Sequence, residues 1–506
     1  MKQEYNRILQ LEEFAAAAEQ WGKLLIELTS KRLMQAQHSD VEEHLKKEGA
    51  ELLRLVFQGQ LDLRAENEEK LENLIGSDGR VRNHRRDDCT RPLMTIFGEV
   101  TVSRIGYSAR GTTSLFPMDS ELNLPTDQYS HGLRRLMAEE IAHVSYDEAV
   151  ASVQRTTAGK VPKLQAEKLV AEVAKDFEAF YKANRVAAPE RTADPLILSF
   201  DGKGIVMRHD SLREQTKKAA EREEHKLETR LSKGEKANRK RMATVATVYD
   251  VEKNVRTAEE IMCSNDEERK AKPKPPRARN KRVWASVERE AKEVIREAVE
   301  EALRRDPRKK RPWVILVDGH EQQLKNISGC LHEHGGTEAS FILDFIHVLE
   351  YLWKAAYCFN PEGSVEAEEW VGERALNILN GSAQNVAAGI SRSATMRKLS
   401  KSAREPADTC ARYLLKHASM MQYYKYLDRG FPIATGVIEG ACRHLIKDRL
   451  DITGARWSLH GAEAVLKLRS LKSSHDLDVY WSYHKEREHQ RNHASRLTQL
   501  PSAVAA

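Results

Sequence analysis

The sequence predicts an α/β domain in its second half, preceded by a mainly helical region. Three observations carry that expectation. Two apolar runs, "DPLILSFDGKG" and "WVILVDGHEQQL", each end at an aspartate followed by glycine: Asp201-Gly202 and Asp318-Gly319. From residue 195 onward, strand-like runs alternate with charged helical stretches, the pattern of helices packed on a largely buried sheet. Residues 10–75 instead place apolar side chains at helical spacing with charges between them.

The chain has 506 residues, enough for several domains and a sizeable interior. No apolar stretch reaches the length of a membrane span, and "MKQEYNRILQLEEF" lacks the apolar core of a signal peptide, so a cytoplasmic protein is expected. Six cysteines lie far apart with no CxxC pair, which argues against a zinc ribbon and a disulfide scaffold. The net charge of +6 is modest, but "KGEKANRKR" and "RKAKPKPPRARNKR" concentrate cations. Such blocks suit either a phosphate backbone, through counterion release, or a solvated loop.

In chain order, residues 1–90 form an N-terminal helical region, suited to DNA binding, to dimerisation or to capping a bundle. Residues 91–190 begin with "RPLMTIFGEVTVSRIGY", whose β-branched residues around Gly98 predict a hairpin. Ser145 and Glu148 then form a capping-box pattern, and Pro162 opens a further helix after Gly159. Helix, glycine-containing turn and helix outline a helix-turn-helix DNA-binding unit or an ordinary helix pair. Residues 191–361 make the first part of the α/β core, with a basic insertion at 208–282. "WVILV" reads as a strand covered on both faces. Residues 362–430 are all-helical, 431–475 complete the core with a helix from about Gly436 to Leu450, and 476–506 form a polar tail.

Ligands of open α/β sheets bind beyond the carboxyl ends of strands. Asp201 and Asp318 each end a strand, so neighbouring strands would bring them together; taken singly, each is also an ordinary turn signal. Two close carboxylates repel and call for a cation, and hard oxygen ligands at an open site suit Mg²⁺ or Mn²⁺. Glu439 offers a third carboxylate, with Arg443 and Lys447 following at steps of four on the same helical face. An exposed Glu–Arg pair explains these charges too, but not Gly436 and Gly440, which cost helix stability unless something approaches closely.

The motifs "SFDGKG", "VILVDGHEQQL", "DFIHVLEYLW" and "GVIEGACRHLIKDRLDITGARW", in that order, resemble DDE transposases of bacterial insertion sequences. The ISKra-type group, related to Mutator-like transposases, is the nearest match, over roughly residues 195–472; "TIFGEVTVSRIGY" also fits it. The resemblance implies an RNase H-like core with an all-helical insertion before the catalytic glutamate. It makes Asp201, Asp318 and Glu439 the catalytic, metal-binding carboxylates, and Asp344 and His347 accessory residues of an Asp-x-x-His motif. Asp344, ending the next strand, is the rival to Asp318; the strand-end position of Asp318 decides between them. Arg443, Lys447, Arg449, Arg456 and Trp457 become candidate DNA contacts, Trp457 through packing first.

The implied activity is two-metal phosphoryl transfer that cuts element ends and joins them to target DNA. The implied partners are double-stranded DNA, as terminal inverted repeats and target, and further copies of the chain in a dimer or higher assembly at the nucleoid. A nuclease of the same fold without strand transfer, and a transposase-derived DNA-binding regulator, are the alternatives.

Overall fold

The computed structural model describes residues 11–184, 193–222, 232, 234–235, 238–263, 274–336, 338–452 and 454–497. The chain divides into two compact units, Met1–Lys182 with Leu477–Ala506, and Ala183–Asp476.

The first unit opens with helices α1 (Ala15–Leu28) and α2 (His38–Glu66). Two short strands, β1 (Leu74–Ile75) and β2 (Val81–Arg82), precede a long antiparallel hairpin, β3 (His84–Thr95) and β4 (Gly98–Ser108). Thr95 pairs with Gly98 across the turn, and Gly98 takes φ +116°, a backbone open to glycine. Alternate residues Leu93, Val100 and Val102 bury one hairpin face against Leu61 of α2. The hairpin starts inside the region expected to be helical, because β3 begins at His84.

Helices α3 (His131–His143), α4 (Tyr146–Thr156), α5 (Lys163–Ala174) and α6 (Phe177–Asn184) follow. The capping box at Ser145 is present: Ser145 Oγ accepts from Glu148 N, and Glu148 Oε2 accepts from Ser145 N. Pro162 stands just before α5.

The polar tail expected at 476–506 is in fact a helix, Leu477–Asn492, that belongs to this first unit. Tyr480, Trp481, His484 and Glu488 share one face at helical spacing and are buried. Their polar members escaped the apolar pattern because ion pairs satisfy them. His484 Nδ1 lies 2.8 Å from Asp176 Oδ2, and Lys175 Nζ lies 2.7 Å from Glu488 Oε1.

The second unit is built on a five-stranded sheet, order β7-β6-β5-β8-β9: β5 (Leu196–Val206), β6 (Lys240–Asp250), β7 (Arg279–Ser286), β8 (Trp313–Val317) and β9 (Ala339–Leu343). β6 runs antiparallel to both of its neighbours, β5 and β7, whereas β8 and β9 are parallel to β5. All five residues of β8 are buried. Helices α7 (Ala291–Arg305) and α8 (Glu321–Glu333) link β7 to β8 and β8 to β9. Ile197, Val314, Leu316 and Ile342 pack on the opposite face with α9 (Phe345–Ala356) and the helices α10 (Val365–Leu379), α11 (Ala383–Met396), α12 (Lys401–His417) and α13 (Tyr423–Asp428). Those last four occupy the expected all-helical stretch.

The basic insertion expected at 208–282 needs correcting, since β6 and the start of β7 are strands of the central sheet. Arg282, counted among its cations, is fully buried against Glu297 and Glu301, with its guanidinium 4.2 Å from the Trp284 ring centroid. Arg269, Lys270 and Lys272 lie outside the described residues. Among the described residues, no helix is long and apolar enough to cross a membrane.

Candidate active site

The site is laid out by strand register. Ser199 of β5 pairs with Leu316 of β8, so two residues further on Asp318 falls beside Asp201. Val317 pairs with Leu343, so Asp344 falls beside Asp318. Asp318 and Asp344 thus stand at the carboxyl ends of β8 and β9, where open sheets bind ligands. Asp201, expected to end its strand, instead lies within β5, which runs on paired with β6 to Val206.

The three differ in environment. Asp344 is fully buried, and its carboxylate is occupied. Oδ1 accepts from Ile346 N and Thr435 N at 3.1 and 3.2 Å. Oδ2 accepts from Thr435 Oγ1 at 2.5 Å and faces His347 Nδ1 at 2.8 Å. It caps α9 and ties that helix to the segment before Glu439. Asp318 is only partly buried and spends one oxygen on a turn, accepting from His320 N at 2.9 Å. Its backbone carbonyl accepts from Tyr413 Oη of α12 at 2.8 Å. Tyr413 in turn stacks on Tyr351, with centroids 4.0 Å apart. Gly319 takes φ +91°, and a Cβ there would lie 3.0 Å from His417 Nε2. Glycine is therefore what lets the chain turn away immediately after Asp318.

Asp201 retains 28% side-chain exposure and has Lys203 Nζ at 3.4 Å. Burial alone would lower the Lys203 pKa, but the Asp201 carboxylate outweighs it and raises the value. Glu439 is exposed on helix α14 (Gly436–Cys442), which packs on β5 and β6. On the same helix Cys442 is buried, with Sγ 3.1 Å from Asp201 Oδ2. Burial, then the Asp201 charge, pushes the thiol pKa far up, so it stays protonated and donates. Spacing showed Glu439, but nothing in the sequence singled out Cys442 as its link to Asp201.

Beyond Cys442 the helix widens into a π turn, Arg443–Lys447, before a last α turn, Asp448–Leu450. The helix thus spans the expected 436–450, with a local irregularity of a kind often found at functional sites. Arg443 and Lys447 are exposed and line a cavity of about 360 Å³ with Lys203, Lys240, Glu439 and Cys442. A Cβ at Gly436 or Gly440 meets nothing within 4 Å, so close approach within this chain does not explain those glycines.

Arg449 departs from its expected role as a DNA contact: it is 2% exposed, and its guanidinium sits 4.7 Å from the Trp457 ring centroid. Trp457 is itself buried, and its backbone extends the edge of β5, donating to Val206 O and accepting from Arg208 N. Its indole Nε1 donates to Leu450 O. Packing accounts for both residues, while Arg456 remains exposed.

His347, half-exposed, is the accessory residue with a shifted pKa. Its hydrogen bond to Asp344 raises the pKa against the opposing effect of burial, and the Asp318 charge adds to the rise. His417, on the other side of Gly319, is pushed down, chiefly by burial.

Among the described residues, one group of three offers ligand atoms all within 4.8 Å of one another and could hold a metal ion: Asp176, His484 and Glu488 of the first unit. No sequence motif marks it, because its members come from segments far apart in the chain. Arg491 and Lys175 already pair with its carboxylates at 2.9 and 2.7 Å, and Arg134 stands 3.5 Å from Glu488. These cations supply the compensating charge that a metal would otherwise provide. Asp201, Asp318 and Glu439 do not meet at that single-ion distance. No protein-family model matches the chain, and no curated protein matches it.

Proposed function

We propose that the second unit is an RNase H-like phosphoryl-transfer core and that the protein is a DNA transposase of the DDE type. The register that sets Asp318 beside Asp201, with the Glu439 helix packed on β5 and β6, carries this reading. A sheet of three antiparallel strands followed by two parallel ones, with one carboxylate within its first strand and another just after its fourth, is what such a core calls for. The four-helix stretch between β9 and Glu439 agrees with the all-helical insertion.

The donors fit hard divalent cations. They are carboxylate oxygens on partly or fully exposed side chains, the hard donors that Mg²⁺ and Mn²⁺ prefer. Asp201, Asp318 and Glu439 would hold Mg²⁺ or Mn²⁺, which when bound activates a water or 3′-hydroxyl and neutralises charge on the leaving oxygen. The chain itself supplies positioning and charge. Lys203, Lys240, Arg443 and Lys447 line the groove beside Glu439 and offer cations to DNA phosphates. Asp344, saturated by four hydrogen bonds, fixes the framework on which Asp318 and Glu439 stand. Double-stranded DNA as partner, a dimer that pairs two element ends, and action at the nucleoid follow from this reading.

The test is to incubate the full chain with Mg²⁺ or Mn²⁺ and DNA carrying the ends that flank its coding sequence. Strand cleavage and joining are expected, both lost with EDTA and in Asp318→Ala. Cleavage by Asp318→Ala at the wild-type rate would overturn the metal assignment. Cleavage without joining would favour a nuclease of the same fold, and binding without cleavage a transposase-derived regulator.

A further inference from the structure

We propose that the first unit holds a phosphate-binding pocket, walled by Arg91, Arg104 and Arg496 beside the β3–β4 hairpin. The cavity measures about 370 Å³, which falls within the range of small-ligand pockets, about 300–1,000 Å³. It draws on three parts of the chain: the hairpin, the segment after it, and the turn that follows the helix Leu477–Asn492.

Arg104 makes the strongest case. It is 9% exposed, its Nε lies 2.7 Å from Asp119 Oδ1, and its guanidinium carbon stands 4.2 Å from the Phe116 ring centroid. Those two contacts fix the plane of the fork. Its Nη1 is buried and has no hydrogen-bond partner among the described residues. An unmet guanidinium donor is costly, and Arg104 forms part of the cavity wall. Arg91 is held alongside by the carbonyls of Pro125 and Asp127, with Nη1 3.9 Å from Asp119. Arg496 stands exposed at the rim.

Charge selects the ligand class. Three guanidinium groups face the single carboxylate of Asp119, which leaves two positive charges. Glu68 also acts on Arg104, but burial pushes its pKa up to about 7, so near neutral pH it removes only part of a charge. His493, on the same wall, has its pKa lowered by burial and adds no charge at neutral pH. A phosphate monoester carries about −1.5 to −2 at pH 7, and arginine forks match its oxygens in paired hydrogen bonds. The phosphate is either the end of a nucleic-acid strand or part of a free small molecule. The inference stands apart from the transposase reading, since its measurement is binding and needs no cleavage.

The test uses the full chain and calorimetric titration with inorganic phosphate, a 5′-phosphorylated trinucleotide and the same trinucleotide with a 5′-hydroxyl. Inorganic phosphate is expected to bind, and Arg496→Gln, at an exposed position, to weaken it by roughly tenfold. Arg104→Lys keeps the charge but loses the fork and is expected to weaken binding further, with the wild-type circular dichroism spectrum as the check on folding. A gain for the phosphorylated over the hydroxyl trinucleotide, erased in Arg496→Gln, assigns the pocket to a strand end. Equal trinucleotide affinities with phosphate still bound assign it to a free phosphorylated molecule. Phosphate binding no tighter than sulfate-free chloride buffer allows, or unchanged in Arg496→Gln, overturns the proposal.

Discussion

Cys442 Sγ lies 3.1 Å from Asp201 Oδ2, so the helix that carries Glu439 is hydrogen-bonded to the strand that carries Asp201. A thiol held protonated by burial and by a carboxylate is a fixed donor rather than a nucleophile. Cys442→Ser keeps a donor and is expected to cleave DNA near the wild-type rate. Cys442→Ala loses about 1 kcal/mol of orientation, and a roughly fivefold slower single-turnover cleavage is expected at unchanged DNA affinity.

Asp318 and Asp344 are separable by what their loss damages. Asp344 is buried with four hydrogen bonds from three residues, so Asp344→Ala leaves Thr435, Ile346 and His347 donors unmet. It is expected to destabilise the second unit by about 3 kcal/mol or more. Asp318→Ala removes a partly exposed carboxylate and is expected to melt within about 1 kcal/mol of wild type while abolishing cleavage. Thermal melts read beside cleavage assays check both; equal melting losses would remove the distinction.

The His347–Asp344 pair carries a pH signature. The folded pKa of His347 lies above its ordinary value, so the protonated form is favoured by folding. Stability from this pair is therefore complete below the unfolded histidine value, about 6.5, and is lost as pH rises through the folded one. Melting temperatures of wild type and His347→Gln are expected to differ most near pH 5.5 and to converge by pH 9. A gap that widens with pH would contradict the assignment.

Gly319 is expected to resist substitution. An alanine there must hold φ +91° and bring Cβ to 3.0 Å from His417 Nε2 and 3.1 Å from Leu343 Cδ1. Gly319→Ala should cost about 1–3 kcal/mol and displace Asp318, so cleavage falls further than melting alone explains. His417→Ala in the same chain relieves the contact and should recover part of the stability, as a double-mutant cycle will show.

Much of the site was legible because strand ends and their aspartates are local features. The runs leading to Asp201, Asp318 and Asp344 appeared as strands. Asp318 and Asp344 follow strand ends, whereas β5 continues past Asp201 to Val206 because its far half pairs with β6, a partner the local pattern did not show. What stayed hidden depended on distant partners. β7 looked like part of a basic loop because Glu297 and Glu301, which neutralise Arg282, stand on a helix that follows it. Against the burial that would raise it, Arg282 and Arg289 hold the Glu297 pKa below its ordinary value, which marks a structural ion pair. The helix Leu477–Asn492 looked like a polar tail because half its inward face is His484 and Glu488. Arg449 looked like a DNA contact because sequence cannot show that Trp457 covers it.

That returning helix has a consequence for how the protein is made. Domains ordinarily fold in the order in which they leave the ribosome, the N-terminal one first. Here the first unit lacks Tyr480, Trp481, His484 and Glu488 until the last stretch has been translated, whereas Ala183–Asp476 is complete before it. The unit with the carboxylate edge can therefore close while the N-terminal one is still waiting for its final piece. A chain cut after residue 476 would present a folded carboxylate edge tethered to an N-terminal half that lacks its closing helix.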